Sequence, residues 1–321
     1  AAIVMALCGC GVWTLAWQPV ILAGVKSGLL WTTNRWRPQC YFSMAIIRDL
    51  FGFASNLLLS GLLNVVFINV YSLVIPRLYP KRELGLFTQG NKICDPIVSL
   101  VYGSIQNATY PIFSNIQNQH DRLINAYRKS IRFTSFLTFP LLIGGVMVAP
   151  ALFRLLFKSE WWDAIPFFQL LCMGGCFTVL TAINNNFIKV SGRSSGILRI
   201  EIIKMALTAV SIALLARESV LAMVAGLMAV RGVVHLINIY YTQRYTGYGM
   251  WAQLCDTVPY LLLAMVMAAA VWSVGLVVDK PWLLLPLQIV AGAAVYTLLA
   301  YATGSKILKD AIRLLLKKET L

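Results

Sequence analysis

The chain has 321 residues, of which 59% are hydrophobic and only 12% charged, and its net charge is +15. A soluble domain holds about 25% charged residues, so this composition, with a mean hydropathy of +0.74, excludes an ordinary soluble protein and predicts an all-α, polytopic membrane helix bundle. The basic excess reads as loop charge facing the cytoplasm and anionic lipid. No zinc spacing, stacking platform or nucleic-acid motif accompanies it, so no nucleic-acid partner, metal or cofactor is expected.

A membrane span needs about 20 apolar residues. In chain order, spans are expected at 13–31, 50–75, 84–107, 132–157, 164–188, 198–216, 219–242, 256–278 and 282–303. Residues 1–9 read as the tail of one more, ended by the Gly9/Gly11 turn, and an opening inside an apolar run with no Met reads as a fragment. The longest connection, 108–131, suggests an amphipathic interfacial helix. The segment 305–321 suggests another, with Ile307, Leu308, Ala311, Ile312 and Leu315 on one face and Lys306, Lys309, Arg313 and Lys317 on the other.

Of the 27 basic residues, sixteen fall on one side of these spans, seven on the other and four inside them. The richer side should be cytoplasmic, which places the 32–49 and 108–131 connections and the C-terminus inside and the pair Trp161–Trp162 at the outer interface. The seven cysteines are scattered and read as small hydrophobes. Cys172 and Cys176 share a helix face but lack the His or carboxylate company a metal site needs.

Six phrases occur in order: "WRPQCYFS" (36–43), "LFGFASNLLLSGLLN" (50–64), "LGLFTQGNK" (84–92), "YPIFSNIQNQHDRLINAYRKS" (110–130), "SEWWDAIPFFQLLCMGG" (159–175) and "INNNFIKVSGRSS" (183–195). Together they resemble the polysaccharide-exporter family, the Wzx-type lipid-linked oligosaccharide flippases related to MATE transporters. The resemblance implies two six-helix lobes around a central cavity, plus two further helices. On that basis, 1–31 is the end of the N-terminal lobe, most of which is missing. Residues 32–49 are then a cytoplasmic inter-lobe linker, 50–243 the C-terminal lobe, 244–304 the additional helices and 305–321 a basic cytoplasmic tail. Ser159–Glu160, where the family often has Gly, and Ser195, where it has an acidic residue, depart from the pattern at membrane edges.

By resemblance, such a protein is no enzyme. It moves an undecaprenyl-diphosphate-linked oligosaccharide across the bacterial inner membrane for O-antigen, capsule or exopolysaccharide synthesis. Membrane lipids, a polysaccharide polymerase and chain-length proteins are the implied partners. A diphosphate cannot cross hydrocarbon unpaired, so its path needs cations and hydrogen-bond donors. Charges inside spans are therefore the candidates, because each costs roughly 2.5–3.5 kcal/mol on insertion scales.

Lys92 either meets substrate in the cavity, pairs with Asp95 at i+3, or snorkels outward. Asp95, before Pro96, either titrates in ion coupling or helps a kink. Arg231 and His235, at i and i+4, offer an anion site with a proton-sensitive neighbour, or satisfy Asn238 across a helix interface. Lys26 lines the first lobe's cavity or snorkels. Glu201 and Lys204 look like an internal pair. Asn64 is a sugar-binding candidate beside Asn56, Asn69, Gln106 and Asn107, or one of the interhelical polar contacts common in bundles. In the run Asn184–Asn185–Asn186 three consecutive amides cannot all face one neighbour, so at least one should meet water or substrate. Arg122, Arg128 and Lys129 read as membrane-surface anchors. The competing functions are a MATE-type multidrug exporter, which the mainly basic in-span residues disfavour, and a scaffold or polymerase of envelope polysaccharide assembly. The latter lacks clustered carboxylates.

Overall fold

The computed structural model describes residues 13–34, 42–278, 280–305 and 307–308. The expected span at 1–9 and most of the 305–321 tail lie outside them. Each of the nine expected spans is a helix: α1 Trp13–Thr33, α2 Met44–Leu78, α3 Lys81–Asn115, α4 His120–Leu156, α5 Ile165–Val190, α6 Ser194–Leu215, α7 Val220–Thr246, α8 Met250–Val277 and α9 Pro281–Ala302. A 3₁₀ turn, Ser159–Ala164, leads into α5. The chain divides into two units, Ala1–Leu50 and Phe51–Leu321. The first carries α1, whose residues 22–30 are all exposed. The second carries the bundle.

Among the described residues, six segments are long and apolar enough to cross a membrane: α2, α4, Ser159–Val190, most of α7, α8 and α9. The protein is thus a multi-pass membrane helix bundle. Helices α3 and α6 have the length, at 35 and 22 residues, but not the composition. Asn91, Asp95 and Gln106 interrupt α3, while Arg199, Glu201 and Lys204 interrupt α6. Such residues are tolerated at membrane depth where they face the bundle interior or water, and most of these do.

The expected interfacial helix at 108–131 is not a separate element. Helix α3 runs on to Asn115, and α4 starts at His120. Leu123, Tyr127 and Ile131 are buried at four-residue spacing, so the stripe that packs the membrane part of α4 continues into its basic first turns. Only residues 116–119 break the helix. The short links from α2 to α3 and from α5 to α6 make these neighbours antiparallel. One end of the bundle, where α2, α4 and α6 begin, is therefore basic. The other carries Trp161 and Trp162, with the Arg154 guanidinium 5.5 Å above the Trp162 ring.

Helix α5 is the centre of the bundle, packed by α3, α4 and α7. Phe168, Leu171, Val179 and Ile183 on it are almost fully buried, so its hold is the dispersion of close packing. Ser219 caps α7, its Oγ accepting from the Ala222 N–H at 3.0 Å. Gly247, at φ 67°, ends the helix in the left-handed conformation that glycine adopts without strain. Helices α8 and α9 pack on each other and on α4, where the Tyr296 hydroxyl donates to the Phe136 carbonyl at 2.9 Å. Helix α2 makes few close approaches to any neighbour. It is tied across by side chains instead. Tyr71 donates to the Met223 carbonyl at 3.2 Å and Tyr79 to the Ala216 carbonyl at 3.0 Å.

Candidate functional site

Because α2 stands off, a cavity of about 750 Å³ opens between it and α3, α5, α6 and α7. Its charged lining is three basic side chains, Lys189, Lys204 and Arg231, and two acidic ones, Asp95 and Glu201. The wall is therefore mixed in charge, whereas the sequence pointed to a cationic one.

Arg231 lies at the deep part of this slot. A Cβ on Gly174 of α5 would stand 3.2 Å from the Arg231 Cδ, so glycine at 174 makes the groove in which the side chain lies. Its guanidinium makes no ion pair or hydrogen bond with any described residue, and its Nε is buried without a partner. A buried donor left unmade costs about 1–3 kcal/mol, more when charged. Asp95 lines the same space from α3 and is within electrostatic reach of Arg231, but the two form no ion pair.

Lys204 is held on three sides. Its Nζ is 2.5 Å from Glu201 Oε2, donates to Asn64 Oδ1 at 3.0 Å, and lies 4.3 Å above the Phe67 ring. The expected internal pair Glu201–Lys204 is formed. Its setting is the cavity wall, and Asn64 is its third member.

The three amides of α5 diverge, as their 100° spacing requires. Asn184 is fully buried away from the cavity; its Oδ1 accepts from the Tyr127 hydroxyl and from Gln253 Nε2, while its Nδ2 has no partner. Asn185 lines the cavity and reaches the Tyr102 hydroxyl. Asn186 Nδ2 donates to the Gln106 carbonyl at 3.0 Å and to Thr109 Oγ1 at 2.8 Å, fastening α5 to α3. The cavity face of α5 reads Thr178, Thr181, Asn185, Lys189, a helical period visible in the sequence. Lys189, one residue beyond the expected end of its span, was not among the sequence candidates.

Other candidates lie elsewhere. Lys92 is exposed but outside the cavity lining, about 60° around α3 from Asp95 at 100° per residue. The expected Lys92–Asp95 pair is not formed, which leaves the outward-reaching lysine of the three alternatives. His235 is buried behind the wall, its Nδ1 3.1 Å from Thr181 Oγ1 and its ring 6.0 Å from that of Phe177. Asn238, read as a possible partner of Arg231 or His235, does line the cavity, but its Nδ2 donates to the Val234 carbonyl of its own helix at 2.9 Å. Lys26 is exposed on α1, in the first unit.

A second polar cluster lies at the basic end, between α4 and α8. Asp256 accepts from Arg132 at 2.6 Å, from Arg128 at 3.1 Å and from the Tyr248 hydroxyl. Burial, then the neighbouring carboxylate, pushes the Tyr248 hydroxyl well above its ordinary range, so it stays protonated and donates. Arg128, read from the sequence as a membrane-surface anchor, is thus half of an ion pair. Its partner lies 128 residues away, beyond the reach of any local signal.

Residues 1–166, more than half of the chain, match the model of a family described as polysaccharide biosynthesis protein. The teichuronic acid biosynthesis protein TuaB of Bacillus subtilis (strain 168) is 26% identical over 177 residues, 54% of this chain and 37% of that protein. The succinoglycan biosynthesis transport protein ExoT of Rhizobium meliloti (strain 1021) is 25% identical over 172 residues, 54% of this chain and 35% of that one. These matches span well under half the length of either relative. In fold, the chain is similar to the lipid II flippase MurJ in an inward closed conformation, with a TM-score of 0.64, 14% identity, and coverage of 85% of this chain and 57% of that one. The expected MATE-like architecture is therefore the fold, the resemblance read from the six phrases holds, and the chain belongs to the polysaccharide biosynthesis protein family.

Proposed function

We propose that this chain supplies the substrate cavity of a flippase that carries an undecaprenyl-diphosphate-linked oligosaccharide from the cytoplasmic to the periplasmic leaflet of a bacterial inner membrane. One observation carries it: a slot inside an apolar bundle holds a guanidinium that no described residue pairs. A buried cation without an internal partner is destabilising unless something else supplies the anion, and a diphosphate supplies it in the bidentate form that arginine matches. The mixed amide, hydroxyl and tyrosine lining suits sugar hydroxyls. The kinship with TuaB and ExoT, and the MurJ-like fold, support the same function.

On this reading the basic end faces the cytoplasm, with the C-terminus on that side, and helices α2–α7 form one lobe of a two-lobed transporter, with α8 and α9 appended. Transport proceeds by alternating access, one lobe rocking against the other about the midplane. Arg231, Asn185 and Asn64 contact substrate, Lys204 is held ready by Glu201, and Asp95 is the candidate for ion coupling. Asn184, Lys92 and His235 do not touch substrate; Lys26 keeps its proposed place in the other lobe.

The test is flipping of a fluorescent undecaprenyl-diphosphate oligosaccharide in liposomes containing the protein. Label crossing only when the protein is present supports the proposal. Transport of cationic dyes alone would move the function to multidrug export, and transport of neither would favour a scaffold or polymerase role.

A further inference from the structure

Arg231 and Lys189 are the two cavity cations that no described carboxylate pairs. Arg231 lies level with Gly174 on α5, and Lys189 is fifteen residues further along that helix, about 22 Å at 1.5 Å per residue. Apolar and polar side chains line the cavity at both levels, Val98, Leu171, Asp95 and Thr178 near Arg231 and Leu57, Ile197, Asn185 and Asn186 near Lys189. Lys204, the third basic residue of the lining, is already engaged by Glu201 and Asn64.

A lipid-linked oligosaccharide likewise carries a diphosphate at one end and sugars beyond it. We propose that the cavity has two anion stations, Arg231 for the diphosphate and Lys189 for a carboxylate on a distal sugar, so that its substrate class is acidic oligosaccharides. This rests on the flippase function proposed above. Asp95, facing the slot from α3, repels an anion near it and so holds the diphosphate to the α5–α7 side. A neutral glycan would satisfy the amides and leave Lys189 half-buried and unpaired. An acidic one satisfies both.

The test compares two probes in proteoliposomes of the protein. One is an undecaprenyl-diphosphate tetrasaccharide ending in glucuronic acid; the other is the same molecule with that residue reduced to glucose. The acidic probe should flip faster by roughly tenfold, the worth of one charge-assisted hydrogen bond. Lys189→Gln should erase the difference between the two probes, while Lys189→Arg keeps it. Equal rates in the unaltered protein would overturn the acidic class and leave the flippase function standing. Equal slowing of both probes by Lys189→Gln, with normal folding, would overturn the assignment of the carboxylate to Lys189. No flipping of either probe would remove the function and this inference together.

Discussion

Asn184 and Asn185 are adjacent on α5 and belong to opposite worlds. Asn184 faces the α4–α8 cluster, where Asp256 meets Arg128, Arg132 and Tyr248, and where Tyr127 and Gln253 meet Asn184 itself. Asn185 faces the cavity, where Arg231, Lys189 and Asp95 have no ionic partner among the described residues. Both regions place charge in an apolar bundle. In the first a single carboxylate pairs with both arginines, so the cluster positions α8 on α4. In the second they are left open, which stability alone does not select. On the function proposed above, pairing more than burial or residue type separates polar groups that hold the bundle from those that meet substrate.

Substitutions on the two faces should divide accordingly. Arg231→Gln should cut flipping by more than about tenfold, the loss of at least one charge-assisted bond to diphosphate. The melting temperature should stay or rise, because a buried unpaired charge is removed; a fall in melting temperature matching the lost activity would make Arg231 structural. Asp256→Ala should do the reverse. It strands two arginines that are themselves partly exposed, so a discounted loss of about 2 kcal/mol is expected. That loss is read as a lower melting temperature in detergent, with the flipping rate per folded molecule retained.

Tyr127→Phe removes one buried hydrogen bond to Asn184 and should cost about 1 kcal/mol. Urea or thermal titration against the parent measures it, and no change would show that the bond contributes nothing net. Lys92→Ala should alter neither stability nor flipping beyond about 0.5 kcal/mol, the usual range for surface changes. A transport defect there would return Lys92 to the path and refute the placement of the cavity.

The nine helices of the described residues were legible because each coincides with a long, largely apolar run, and six of them are apolar enough to cross a bilayer. Which face of each helix looks inward was not. In soluble helices the polar face marks the outside, but here lipid and core are both apolar and give α5 and α6 no contrast. Lys92 was therefore the natural candidate on α3, while Asn91 and Asp95, close by on the helix surface, face the slot. The divergence of Asn184, Asn185 and Asn186 was legible from helical geometry alone, though not which of them meets the cavity. Lys189 was missed because charge near a span's end is attributed to the interface, although its spacing from Thr178, Thr181 and Asn185 continues one helical stripe. The Arg128–Asp256 pair joins segments remote in sequence, and only packing brings them together.

The most direct test of the cavity as the translocation path is site-specific photocrosslinking. A photoactivatable residue is placed at 185 in one protein and at 92 in another, and each is illuminated with radiolabelled undecaprenyl-diphosphate oligosaccharide in membranes. Capture at 185 and not at 92 is the expected result. Capture at 92 without capture at 185 would contradict the account and put the substrate on the other flank of α3.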